Sequence, residues 1–135
     1  MRFEPPVFGN GMNNRANSNP EMNCSRRANG WVATVWDVEI FNRDFEYLIT
    51  DGLCQYVLIG KEICPNTGRE HLHIYIEYEG NRQYNWKRIR DMFMCDNMWQ
   101  QPRRASAKNV IAYIKKDGNF KEWGEPHQQG RRTRS

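Results

Sequence analysis

The chain has 135 residues, 39% of them hydrophobic and 27% charged, with a formal net charge of +4 at pH 7. That length fits one domain with a modest core, and the composition fits a soluble globular protein with polar ends. No apolar run approaches the ~20 residues of a membrane span, and no signal-peptide segment opens the chain, so neither a membrane protein nor a secreted one is expected.

Residues 1–29 are rich in Asn, Pro, Gly and Arg and lack apolar periodicity, which predicts a flexible leader. Trp31–Trp36 is a β-rich run and predicts a strand. Ile40, Phe41, Phe45, Leu48 and Ile49 recur at near-helical spacing before Gly52, which predicts one amphipathic helix. Gln55–Glu62 predicts a second strand, and Pro65-Asn66-Thr67-Gly68 is turn chemistry joining it in a hairpin to Arg69–Tyr78. The latter alternates with period 2: Leu72, Ile74, Ile76 and Tyr78 point one way, and His71, His73, Tyr75 and Glu77 the other.

Beyond Gly80, an apolar stripe through Tyr84, Trp86, Ile89, Met92 and Phe93 interleaved with Lys87, Arg88 and Arg90 predicts a helix with a basic face. Residues 97–103 suggest a strand, Ser106 is a good N-cap for a helix over Ala107–Lys116 closed by Asp117-Gly118, and Phe120–Trp123 suggests an edge strand. The order β-α-β-β-α-β-α-β predicts an α+β domain over 30–126. Its antiparallel five-stranded sheet carries helices on one face, in a ferredoxin- or RRM-like split β-α-β layout. A basic tail, 127–135, would follow.

Charge is divided along the chain. Residues 31–80 carry three bases against nine carboxylates, net −6, and residues 81–116 nine bases against two carboxylates, net +7. Such a division suits one surface holding a cation and another holding a polyanion, although solvated faces would count the same. Cys24, Cys54, Cys64 and Cys95 form no C-x-x-C pair, which favours reduced thiols over a structural zinc site. Cys64 stands close enough to the histidines in sequence to be an adventitious ligand.

Two imidazoles at i, i+2 on a strand can reach one ion, since each neutral ring offers a nitrogen lone pair. An isolated pair is more often plain surface. Glu62, at the end of the partner strand, would fold back beside them; Glu70 and Glu77 compete with it. Two histidines and a carboxylate suit Mg²⁺ or Mn²⁺, and Zn²⁺ is open on ligand type. Tyr113 and Lys116 share a face at i, i+3, placing a phenol and an ammonium together.

Glu62, His71-Leu72-His73 and Tyr113-Ile114-Lys115-Lys116, in this order, resemble the single-tyrosine HUH endonucleases, and most closely the replication-associated (Rep) proteins of circovirus-like circular single-stranded DNA viruses. Leu58-Ile59-Gly60-Lys61-Glu62, Lys116-Asp117-Gly118-Asn119 and Trp123-Gly124-Glu125-Pro126 extend the likeness over residues 31–126. The family's first motif usually reads like Phe-Thr-Leu-Asn; here Thr34 is kept and Val35-Trp36-Asp37 follows it.

The resemblance implies that Glu62, His71 and His73 bind Mg²⁺ or Mn²⁺. It also implies that Tyr113 attacks a scissile phosphate of single-stranded DNA, assisted by Lys116, and leaves a 5′-phosphotyrosine. Nicking and joining at an origin stem-loop would then initiate rolling-circle replication in a host nucleus. Trp36 and Tyr75 would stack bases, with Arg82, Lys87, Arg88, Arg103, Arg104 and Lys108 near the backbone. Full-length members continue into a helicase domain; no Walker A loop occurs here, so the nuclease portion alone is expected, with oligomerisation, if any, through the missing region. Two alternatives stay open: a non-catalytic RRM-like nucleic-acid-binding module, and a metal-dependent phosphodiesterase that uses water in place of tyrosine.

Overall fold

The computed structural model describes residues 27–94 and 98–127. Cys24, Cys95, nearly all of the expected leader and all of the expected tail except His127 lie outside them. The elements run β1 (Gly30–Val35), a 3-10 turn (Val38–Asn42), α1 (Glu46–Thr50), β2 (Cys54–Ile63), β3 (Glu70–Tyr78), α2 (Trp86–Phe93), β4 (Met98–Pro102), α3 (Ala107–Lys115) and β5 (Phe120–Gly124). The five strands form one sheet in the order β4-β1-β3-β2-β5, and every pairing is antiparallel. The strand bearing the histidines is therefore the central one.

The single helix expected across Ile40–Ile49 is two pieces. Arg43 N–H closes the 3-10 turn on the Ile40 carbonyl, and the Asp44 carboxylate accepts from Glu46 N–H at 2.9 Å. That short side chain captures a backbone donor the continuous helix would have used internally, so the chain restarts there. Elsewhere the expected signals hold. Cys64 N–H reaches the Arg69 carbonyl to close the hairpin, Ser106 Oγ accepts from Asn109 N–H at 3.2 Å, and Gly118 takes φ +75° after α3.

Alternation divides the core in two. Trp31, Ala33 and Val35, Val57 and Ile59, and Leu72, Ile74, Ile76 and Tyr78 pack against Phe45, Leu48, Met92 and Phe93 from the α1 and α2 side. Val32, Tyr56, Leu58 and Tyr75 point the other way and are covered by Ala107, Val110, Tyr113 and Ile114 of α3. The α+β sheet is as expected and carries α1 and α2 on one face. α3 departs from that layering: it lies on the same face as the histidines, because that face is apolar over half its length and needs a cover.

Leu72 is fully buried between the two histidines in sequence and on the opposite face from them. Leu72→Asp should abolish cooperative folding, since an unpaired carboxylate there has no partner in the apolar layer. Circular dichroism and urea titration will show it; a native-like transition in that variant would contradict the face assignment.

Candidate active site

Antiparallel register sets Glu62 opposite His71 and Gly60 opposite His73, and opposed residues share a face. All three polar side chains thus meet above the sheet. Glu62 Oε1 lies 2.7 Å from His73 Nε2 and 3.5 Å from His71 Nε2, and the two imidazoles stand edge to face with centroids 4.8 Å apart. From α3, Tyr113 donates its hydroxyl to the same oxygen at 3.3 Å. Lys116 Nζ lies 3.3 Å from that oxygen and 3.9 Å from the centre of the Tyr113 ring. Four side chains converge on one carboxylate oxygen.

The electrostatics follow from burial. His73 is 6% exposed, and burial pushes it down to about 4 despite the opposing pull of Glu62. It is neutral at pH 7, and its contact with a carboxylate that can only accept puts the ring proton on Nε2. Hydrogen bonds from His71 and His73 hold the Glu62 carboxyl well below the usual carboxylate range, against its own partial burial. Burial, then the adjoining Glu62 charge, pushes the Tyr113 phenol upward. The resting arrangement is an ionised Glu62, a neutral His73 and a protonated Tyr113.

The donor set fits a hard-to-borderline divalent cation. One atom from each of Glu62, His71 and His73 lies within 4.8 Å of the others. Adjacent ligands on an octahedral ion with bonds of about 2.1 Å stand about 3 Å apart, and the contacts of 2.7 and 3.5 Å bracket that spacing. The competing carboxylates are engaged elsewhere. Glu70 lies 3.8 Å from Lys61 Nζ, and Glu77 is buried where it accepts from Tyr75 OH and from His127 N–H at 2.6 Å. Cys64 is not in the group.

The expected DNA-contacting residues are scattered. Trp36 is half-buried just beyond β1, with the Arg69 guanidinium 5.9 Å from its ring centre. Tyr75 must be corrected: it is fully buried, because α3 covers it, and no base can stack on it. Lys87 and Arg88 belong to α2 on the opposite face, where they and Arg27 line a pocket of about 410 Å³ with Arg88 over the Tyr84 ring. Arg82 is exposed on the turn before α2. Arg103 is half-buried, its N–H on the Gly30 carbonyl, while Arg104 and Lys108 are exposed around the start of α3.

One residue was missed. Thr34 pairs with His73 on one side and Trp99 on the other, so half-buried Trp99 shares the histidines' face. The strand holding it is short and ends at Pro102, too brief for its alternation to stand out.

Residues 35–129, more than half of the chain, match the Geminivirus Rep catalytic domain. The chain belongs to that family. It is therefore an HUH endonuclease domain of a circular single-stranded DNA virus Rep protein, a site-specific nuclease of rolling-circle replication that binds single-stranded DNA. HUH Rep domains depend on a metal, and among the described residues Glu62, His71 and His73 form a group that could hold one. Among the described residues no helix is long and apolar enough to cross a membrane.

The His73 shift has a consequence for stability. The unfolded chain takes up this proton near 6.5 and the folded chain near 4, so the unfolded state binds more protons between those values. Stability should fall as pH drops from about 6.5, by up to about 3 kcal/mol at pH 4. Glu62, also depressed in the fold, adds to the loss only as pH falls through its unfolded value of 4.5. Urea denaturation of the metal-free protein between pH 7 and 4.5 should show the slope, and His73→Gln should flatten it.

Proposed function

We propose that this Rep domain nicks and rejoins the viral origin stem-loop through a covalent 5′-phosphotyrosine on Tyr113. The observation that carries it is the convergence of Tyr113, Lys116, His71 and His73 on Glu62 Oε1. A Mg²⁺ or Mn²⁺ ion held by Glu62, His71 and His73 would supply Lewis-acid polarisation of the scissile phosphate.

The chain's own residues do the rest. Tyr113 Oη forms the new bond to phosphorus while the bond to the 3′-oxygen breaks, and the phenol's proton ends, in net terms, on the departing 3′-hydroxyl. One phosphodiester replaces another, so a 3′-hydroxyl can later reverse the step without ATP; that makes the domain a nucleotidyltransferase as well as an endonuclease. Lys116, beside both phenol and carboxylate, offsets negative charge as the phenol gives up its proton and the phosphate crowds in. The phenol is held protonated at rest, so nucleophilicity arises only once substrate charge is neutralised beside it.

DNA crossing this face meets Trp36 and Trp99, which offer rings for stacking, and Thr34 between Trp99 and His73. Arg104 and Lys108 suit its phosphates; Lys87 and Arg88 suit a segment reaching the other face. Among the Rep proteins of circular single-stranded DNA viruses, the short motifs favour a circovirus-like relative. A leader over residues 1–29, the catalytic unit over 30–126 and a basic tail complete the reading. A helicase domain and oligomerisation region would lie in the full-length protein, acting in the host nucleus.

A single-stranded origin oligonucleotide, incubated with and without Mn²⁺ and run on a denaturing protein gel, tests the mechanism. An adduct is expected that disappears with EDTA and in Tyr113→Phe. Cleavage surviving Tyr113→Phe would mean that water is the nucleophile, and binding without cleavage would mean a passive RRM-like module. His73→Ala should remain folded and lose at least ~10²-fold in adduct rate. Mn²⁺ at 100 times its Kd should add about 2.7 kcal/mol to the unfolding free energy of the native chain, and should add none to His73→Ala.

A further inference from the structure

α3 rests on the sheet at a residue without a side chain. Gly60 pairs with His73 on β3 and with Phe120 on β5, which puts it in the same cross-strand row as His73, one row from the Glu62–His71 pair on that face. A Cβ added to Gly60 would lie 2.6 Å from Ile114 Cγ2 and 2.7 Å from the Ile114 carbonyl oxygen. The first neighbour is a side chain that can turn; the second is backbone of the last turn of α3 and cannot. Gly60 is not among the residues with positive φ, so its backbone conformation does not require glycine. Space does.

The seat matters because of what flanks it. Ile114 directly follows Tyr113, and Lys116 lies two residues beyond. Glu62 stands two residues along β2 from Gly60, on the same face. Lys61 N–H binds the Asn119 carbonyl at 3.0 Å, tying the chain leaving α3 to the same stretch of β2. The helix-borne nucleophile is thus set against the sheet-borne carboxylate across one close contact.

Resting on the nuclease reading above, we infer that Gly60 is a positioning residue that fixes how near Tyr113 and Lys116 approach Glu62. An alanine would lift the last turn of α3 by about 0.7 Å to bring the carbonyl contact to the ordinary 3.4 Å. Both contacts to Glu62 Oε1 stand at 3.3 Å, so that retreat breaks them. Glu62, His71 and His73 sit on β2 and β3 and stay in place. Gly60→Ala should therefore separate two properties that damage to the whole site would lower together.

The test measures both, with a third readout that does not depend on cutting. Mn²⁺ affinity by calorimetry should change by less than ~3-fold in Gly60→Ala, because the three ligands are undisturbed. The single-turnover adduct rate at saturating oligonucleotide should fall ~10²-fold with the oligonucleotide KM unchanged. Adding Ile114→Ala removes the Cγ2 contact and should restore part of the rate; the carbonyl contact keeps the recovery incomplete. The same double variant carries the test should Gly60→Ala fail to fold.

A 3-fluorotyrosine at position 113 reports the seating directly. Its ¹⁹F resonance should move in Gly60→Ala and move back with Ile114→Ala, whether or not the protein cleaves DNA. If the native protein forms no adduct while the resonance moves as described, the nuclease reading falls and the positioning role stands. A native adduct rate in Gly60→Ala with an unmoved resonance overturns the inference. So does a parallel loss of Mn²⁺ affinity and rate, which would mark general destabilisation.

Discussion

The site is organised around one atom, Oε1 of Glu62. It accepts from two imidazoles on the neighbouring strand and from a phenol on a helix, with an ammonium beside it. A carboxylate so supplied with donors stays ionised far into acid, and its charge in turn governs its neighbours. It raises the cost of ionising Tyr113 and draws Lys116 over the ring. The same oxygen is among the candidate ligands for a divalent cation. A cation held there would withdraw charge from Glu62 and so remove the largest effect, after burial, that raises the cost of ionising the phenol.

Sheet geometry makes this convergence possible. A register that sets Glu62 against His71 brings three candidate ligands to one face without a long loop, and the central place of β3 holds His73 between Gly60 of β2 and Thr34 of β1. The opposite alternation sends Leu72 and Ile74 into the α1 and α2 core, so each histidine is flanked by an anchor. Tyr75 and Glu77 continue the same face, but there the sheet is roofed by α3 and the C-terminal residues. One face of one strand is a reactive surface at its start and interior at its end.

That change of character explains what sequence patterns could and could not foretell. Period-2 alternation in Arg69–Tyr78, the Pro-Asn-Thr-Gly turn and the Ser106 cap are local signals, and each element they mark is present. Glu62, His71, His73, Tyr113 and Lys116 can be named together from a family-like motif order, and the fold brings their side chains together. The covering of Tyr75 was not legible: alternation names a face but not what lies on it, and an α3 with apolar residues could have packed on either side. The break at Arg43-Asp44 leaves no trace in the apolar spacing, which carries through it, because it is made by one carboxylate capturing a backbone N–H. Gly60 read as part of a motif, whereas its reason is a contact 54 residues away in the chain.

The separation of ligands along the chain has a kinetic meaning. His73 and Glu62 are 11 residues apart and joined by a hairpin, whereas Tyr113 and Glu62 are 51 apart. On loop-closure entropy alone, the longer contact costs about 1.4 kcal/mol more to form. Hairpins also close on a microsecond scale, ahead of long-range docking. On the proposed mechanism, the half of the centre that would hold a cation lies within one hairpin, and the half that would attack DNA depends on the docking of α3. On that mechanism, cation holding would rest on local chain closure and DNA attack on long-range closure.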